Sequence, residues 1–171
     1  APGHRVGASM VETEKMDLAK EVIKLADASR TRLVLPCDHV VAAEITADSG
    51  TTTDGVGIDD GMAGFDIGPK TIDAYREVIG GASTVVWNGP MGVFEHPPFA
   101  AGTMAIAEAL ADADATVIVG GGDSASAMKV SGRQDDVTHI STGGGASLEF
   151  LEGKTLPGIA ALRAGHRFEG V

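Results

Sequence analysis

The chain has 171 residues, 43% of them hydrophobic but only 4% aromatic, and a formal net charge of −11. That length suits one domain whose core is built mainly from Ala, Val, Ile and Leu. The charge argues against nucleic-acid and membrane partners, and the apolar runs break far short of the ~20 residues a membrane span needs.

The first five residues, Ala1-Pro2-Gly3-His4-Arg5, lack the apolar stretch of a signal peptide and read as cut from something longer. Across 14–28, Met16, Ala19, Val22, Ile23 and Ala26 recur at three- and four-residue steps. This predicts an amphipathic helix with Thr13 as N-cap. Residues 32–36 read as a short buried strand closed by Pro36, residues 40–45 as another, and 46–60 as a polar loop.

A rhythm then sets in. Strands are expected at 64–67, 84–87, 116–119 and 137–140, each followed by a turn and then a helix. The helices are expected at 71–79, 99–111, 124–130 and 146–152, with Pro69 near the first turn of the first. Repetition of strand, turn and helix is the pattern of a parallel α/β sheet with crossover helices. Such sheets bind ligands beyond the carboxyl ends of their strands. The 24 glycines, about twice the ~7% of average usage, collect in those turns.

Gly120-Gly121-Gly122-Asp123-Ser124 follows an apolar strand and opens a helix. Glycines let the backbone approach a ligand, and free amides with the positive dipole end favour an anion. Asp123 serves either as a plain helix cap or as an oxygen ligand to Mg²⁺. Ser141-Thr142-Gly143-Gly144-Gly145-Ala146 repeats the design one strand later, and two such turns side by side suit a polyphosphate. In a third turn, 87–95, Asn88 can donate to a phosphate and Glu95 can accept from ribose hydroxyls. Read blandly, Trp87 and Phe94 there are core and Glu95 is solvated.

Other motifs carry less. Gly153-Lys154-Thr155 resembles the tail of a P-loop, but Leu148 stands where the first glycine belongs, and Gly153 suits a helix C-cap. The five histidines are dispersed, without zinc-ligand spacing. Cys37 is the only cysteine, which excludes an intrachain disulfide and favours a reducing, cytoplasmic compartment. It reads as a buried structural thiol.

Leu35 to Ala42, Asp66 to Thr71, Trp87 to Glu95, Gly120 to Ser124 and Ser141 to Pro157 together resemble phosphoglycerate kinase, in order, over about residues 5–158. The resemblance implies a three-layer, Rossmann-like α/β domain with a mainly parallel sheet, the family's C-terminal nucleotide-binding lobe. It implies phosphoryl transfer between 1,3-bisphosphoglycerate and ADP in glycolysis, with Mg²⁺. By position, Gly64, Phe65, Pro90, Met91 and Phe94 would line the adenine pocket, and Glu95 would hold the ribose. Asn88, Gly121, Gly122, Asp123 and Ser124 would lie along the phosphates, with Asp123 bearing on the metal. Gly143, Gly144 and Gly145 would present a helix start to the moving phosphoryl group.

The family's amino-terminal lobe, which binds 3-phosphoglycerate, is absent from these 171 residues, as is the Gly-Ala-Lys-Val segment that opens the second lobe. The family places that segment mid-sheet, so this chain alone would have a gap at its N-terminal end; an unpaired buried edge is costly, so either the chain is one piece of a longer polypeptide or its remaining strands re-pair. Residues 163–171 run past the usual family ending without explanation. The isolated chain is expected to bind nucleotide weakly at best and not to turn over. The alternatives are a truncated nucleotide-binding fragment and, further off, a dinucleotide-binding redox domain.

Overall fold

The computed structural model describes residues 3–141 and 143–164. Thr142 of the last glycine turn, Ala1-Pro2, and 165–171 of the tail lie outside the described residues. Within them, six strands form two three-stranded sheets.

The larger motif is parallel. β4 (Thr84–Asn88), β5 (Thr116–Gly120) and β6 (His139–Ser141) lie in that order, with Asn88 opposite Gly120 and Gly120 opposite Ser141. α3 (Ala101–Asp112) connects β4 to β5, and α4 (Gly122–Ser131) connects β5 to β6. Alternation along β5 turns Val117 and Val119 inward, where both are buried. They pack with Trp87, Phe94, Ile106, Leu110 and Met128 into one core, against which α2 (Pro69–Gly80) also lies. Pro69 is at the start of α2, as expected. On the other face, Val86 and Ile118 border an apolar cavity of about 400 Å³. Phe150 and Leu151 of α5 (Gly144–Leu151), with Ile159 of α6 (Pro157–Arg163), line its far side. α5 ends on Leu151 with Glu152 at its C-cap, and Gly153, the glycine expected to stop it, follows in the left-handed region at φ +78°.

The smaller sheet corrects one expectation. The strand anticipated at 64–67 forms as β3 (Ala63–Ile67), but it does not open the parallel series. It pairs antiparallel with β1 (His39–Ala42), which pairs in turn with β2 (Thr51–Thr52), inside the stretch read as a loop. Residues 32–36 form no strand, because a strand needs a ladder partner and none of the described residues supplies one. The edge of β4 away from β5 is likewise unpaired among the described residues. The α/β architecture is present.

Two further differences concern burial. Cys37, read as a buried thiol, is exposed. α1 (Met16–Ala28) forms with the predicted period, yet none of its residues is buried. Leu18, Val22 and Leu25 face solvent. Thr13 sits within a short 3₁₀ turn (Thr13–Lys15) ahead of α1 and does not cap it.

One buried carboxylate ties the two sheets' elements together. Asp38, fully buried before β1, accepts hydrogen bonds from Thr71 Oγ1 (2.6 Å), the Thr71 amide (2.8 Å) and the Lys70 amide (3.0 Å). It thereby caps the start of α2 from another element, where negative charge is favoured. Burial pushes its carboxyl upward, but those hydrogen bonds and the Lys70 charge outweigh it and hold it below the ordinary value.

Candidate functional site

Register dictates the site. Because Asn88, Gly120 and Ser141 align, the turns that follow β4, β5 and β6 emerge side by side on one sheet edge, ~4.8 Å apart per strand. They are also joined to one another. The Gly89 amide donates to Ser124 Oγ at 2.6 Å, and the Gly121 amide donates to Ser141 O at 3.2 Å. Gly121 has φ +92°, and a Cβ on Gly144 would fall 2.8 Å from Gly121 Cα. These two glycines therefore abut, backbone on backbone, with no room for a side chain. Asn88 Oδ1 packs against the same point.

The remaining glycines have a different setting. A Cβ added at Gly122 or Gly145 would meet nothing within 4 Å, so both border open space. Gly122 begins α4 and Gly144 begins α5, with Gly121 and Gly143 at the preceding cap positions. Two helix starts, whose first-turn amides have no partner among the described residues, thus face the same edge. Asp123 lies exposed in the first turn of α4 and makes no capping hydrogen bond, which removes the plain-cap reading of this residue. Ser124 is buried, with its oxygen engaged by Gly89; it braces two turns.

Beside this edge, Gly64, Phe65, Pro90 and Met91 line a single cavity of about 460 Å³, joined by Pro36, His39 and Ile58. The Val93 amide donates to Phe65 O at 2.9 Å and fixes the 88–94 turn against β3. Phe94, expected on this cavity, instead packs in the core at 8% exposure and anchors the turn from below. Trp87 is core as well. Glu95 is exposed just after the turn.

Two residues at this junction escaped the sequence reading. Thr103, buried in the first turn of α3, accepts from the Met91 and Gly92 amides at 3.1 and 3.0 Å. Asp66, buried in β3, accepts from the Gly102 amide at 2.7 Å and the Ile67 amide at 2.8 Å. Burial pushes its carboxyl above the ordinary value, against the opposing pull of those two amides. The available signal was an acid inside an otherwise apolar strand, which calls for a buried partner.

The arrangement defines an open-sheet α/β protein with glycine turns and helix starts gathered at the strands' carboxyl ends. The family model described as phosphoglycerate kinase matches residues 1–154. A phosphoglycerate kinase of Clostridium perfringens (strain SM101 / Type A) is 55% identical over 162 residues, which cover 95% of this chain and 41% of the relative. One of Chloroherpeton thalassium is 53% identical over 166 residues, covering 95% and 42%. The phosphoglycerate kinase structure from Coxiella burnetii superposes with a TM-score of 0.87 at 40% identity, over 94% of this chain and 42% of that one. The enzyme from Pyrococcus horikoshii OT3 gives 0.75 at 34% identity, over 89% and 38%. The chain belongs to the phosphoglycerate kinase family, and spans about two fifths of the length of the curated relatives it matches.

Proposed function

We propose that this chain supplies the Mg–ADP/ATP site of a phosphoglycerate kinase, an enzyme that moves a phosphoryl group between 1,3-bisphosphoglycerate and ADP in glycolysis. The observation that carries it is the single block made by the turns after β4, β5 and β6. The base side falls to Gly64, Phe65, Pro90 and Met91, which share one cavity. The ribose falls to Glu95 and the phosphates to Asn88, Gly121, Gly122 and Gly143 to Gly145. Phosphoryl transfer asks chiefly for positioning and charge stabilisation, which helix-start amides and a cation provide.

Asp123 fits Mg²⁺. It is an exposed carboxylate in the first turn of α4, with no hydrogen-bond or ion-pair partner among the described residues. Magnesium is commonly held by one or two carboxylates, with phosphate oxygens and waters completing its shell. When bound it would neutralise phosphate charge beside the α4 start.

The partner is the nucleotide; 3-phosphoglycerate would enter only through the family's amino-terminal lobe. A glycolytic role implies the cytoplasm. Among the described residues no helix is long and apolar enough to cross a membrane.

Titration of the chain with ADP, followed by amide NMR shifts, tests the reading. Mg²⁺ is expected to tighten ADP binding about tenfold, worth ~1.4 kcal/mol, and Asp123→Asn to lose that gain. Metal-free binding should be nearly unchanged. Absence of ADP binding at millimolar concentration, or an intact Mg²⁺ effect in Asp123→Asn, would refute it. The other reading is a nucleotide-binding unit without turnover on its own. A coupled assay on the 171 residues is expected to detect no ATP from 1,3-bisphosphoglycerate and ADP; measurable ATP would eliminate that reading.

A further inference from the structure

Asp66 belongs to none of the roles assigned so far, yet it is part of the lining of the 460 Å³ cavity, beside Phe65 and Gly92. Its carboxylate is buried at 5% exposure, and each oxygen is engaged: Oδ1 by the Ile67 amide, Oδ2 by the Gly102 amide. The first bond holds the end of β3. The second caps α3 from outside, where a negative charge opposes the positive helix end. Gly92 and Gly102 close on the same carboxylate so tightly that a Cβ on either would overlap it. Gly92 belongs to the turn whose Met91 and Gly92 amides are held by Thr103, one residue beyond Gly102.

Three elements therefore meet on one side chain: the strand carrying Gly64 and Phe65, the turn carrying Pro90 and Met91, and the start of α3. The first two supply two of the cavity's walls. We infer that Asp66 is a positioning residue that sets the separation of those walls, and so the fit of the nucleotide's base, through its carboxylate's hold on the Ile67 and Gly102 amides. The inference rests on the nucleotide reading above. The phosphate-side block is held by different contacts, Gly121 against Gly144 and Gly89 to Ser124, so the two halves of the site are separable.

Asp66→Asn keeps one acceptor oxygen and turns an NH₂ group toward an amide donor, which forces the junction apart. The test compares two ligands on the full chain: ADP, which carries a base, and tripolyphosphate, which does not. Asp66→Asn is expected to weaken ADP about tenfold while tripolyphosphate stays within about twofold. A purely structural role would weaken both alike. Should Asp66→Asn fail to fold, Gly92→Ala presses on the same carboxylate from the turn and is expected to show the same selective loss. Equal losses for both ligands, or none, overturn the assignment of Asp66 alone. Failure of the unmodified chain to bind ADP overturns the nucleotide reading, and this inference with it.

Discussion

Gly144→Val is expected to weaken ADP binding by more than tenfold and to destabilise the chain. The added Cβ would arrive 2.8 Å from Gly121 Cα, which is backbone and cannot rotate away. Relief requires that the α5 start move off the α4 start, or that Gly121 leave its φ of +92°, which would break its bond to Ser141 O. A polyphosphate that touches both turns then loses one of them, and a tenfold loss is only ~1.4 kcal/mol. Overpacking of this kind costs about 1–3 kcal/mol in stability. Gly80→Ala, at the end of α2 with nothing within 4 Å of its added Cβ, is the control and should leave both quantities intact. Chemical denaturation and ADP titration of the two variants measure the effects. Retention of unmodified affinity by Gly144→Val would mean that no single ligand bridges these turns.

Asp38→Asn is expected to produce the largest stability loss of any single polar substitution in the chain, and one that depends on pH. Asp38 has no solvent exposure, and its carboxylate accepts hydrogen bonds from the Thr71 hydroxyl and the Thr71 and Lys70 amides, with a long one from the Cys37 thiol. Asparagine must place its NH₂ against at least one of these donors. Bonds to a charged group are worth about 1.5–3 kcal/mol each, and an unsatisfied buried donor costs a further ~1–3 kcal/mol, so roughly 2–4 kcal/mol of net loss is expected. The sign of the pH effect follows from the lowered carboxyl. A group ionising more easily in the folded than in the unfolded chain stabilises the fold above its unfolded value, and that contribution disappears as pH falls through its folded value. The gap between the unmodified chain and Asp38→Asn should therefore be widest near neutrality and shrink in acid. A gap that widened in acid, or none at neutral pH, would show that Asp38 is not the ionised cap of α2.

Most of the local structure was legible from residue spacing. The helices at 71–79, 99–111, 124–130 and 146–152 correspond to α2, α3, α4 and α5, and the three later strands to β4, β5 and β6. The positions of the glycine turns were equally readable, because glycine and the apolar periods act within a few residues of chain. The ordering of those turns along one edge followed from the repetition itself.

What lay beyond reach was decided between distant segments. Burial of α1 was read from its period, but burial needs a surface to meet, and α1 meets too little of one. The same holds for 32–36, whose strand character depends on neighbours, and for β3, which pairs with β1 across an antiparallel ladder. Phe94 and Met91 look alike in a turn, yet packing sends one to the core and leaves the other on the cavity. Sequence by itself determined the elements, the α/β class and which turns carry exposed amides, since these depend on local backbone preference and short-range pattern. Only the tertiary structure decided which glycines abut and which stay open, and which aspartates are buried as helix caps. Those outcomes depend on atoms brought together from residues far apart along the chain.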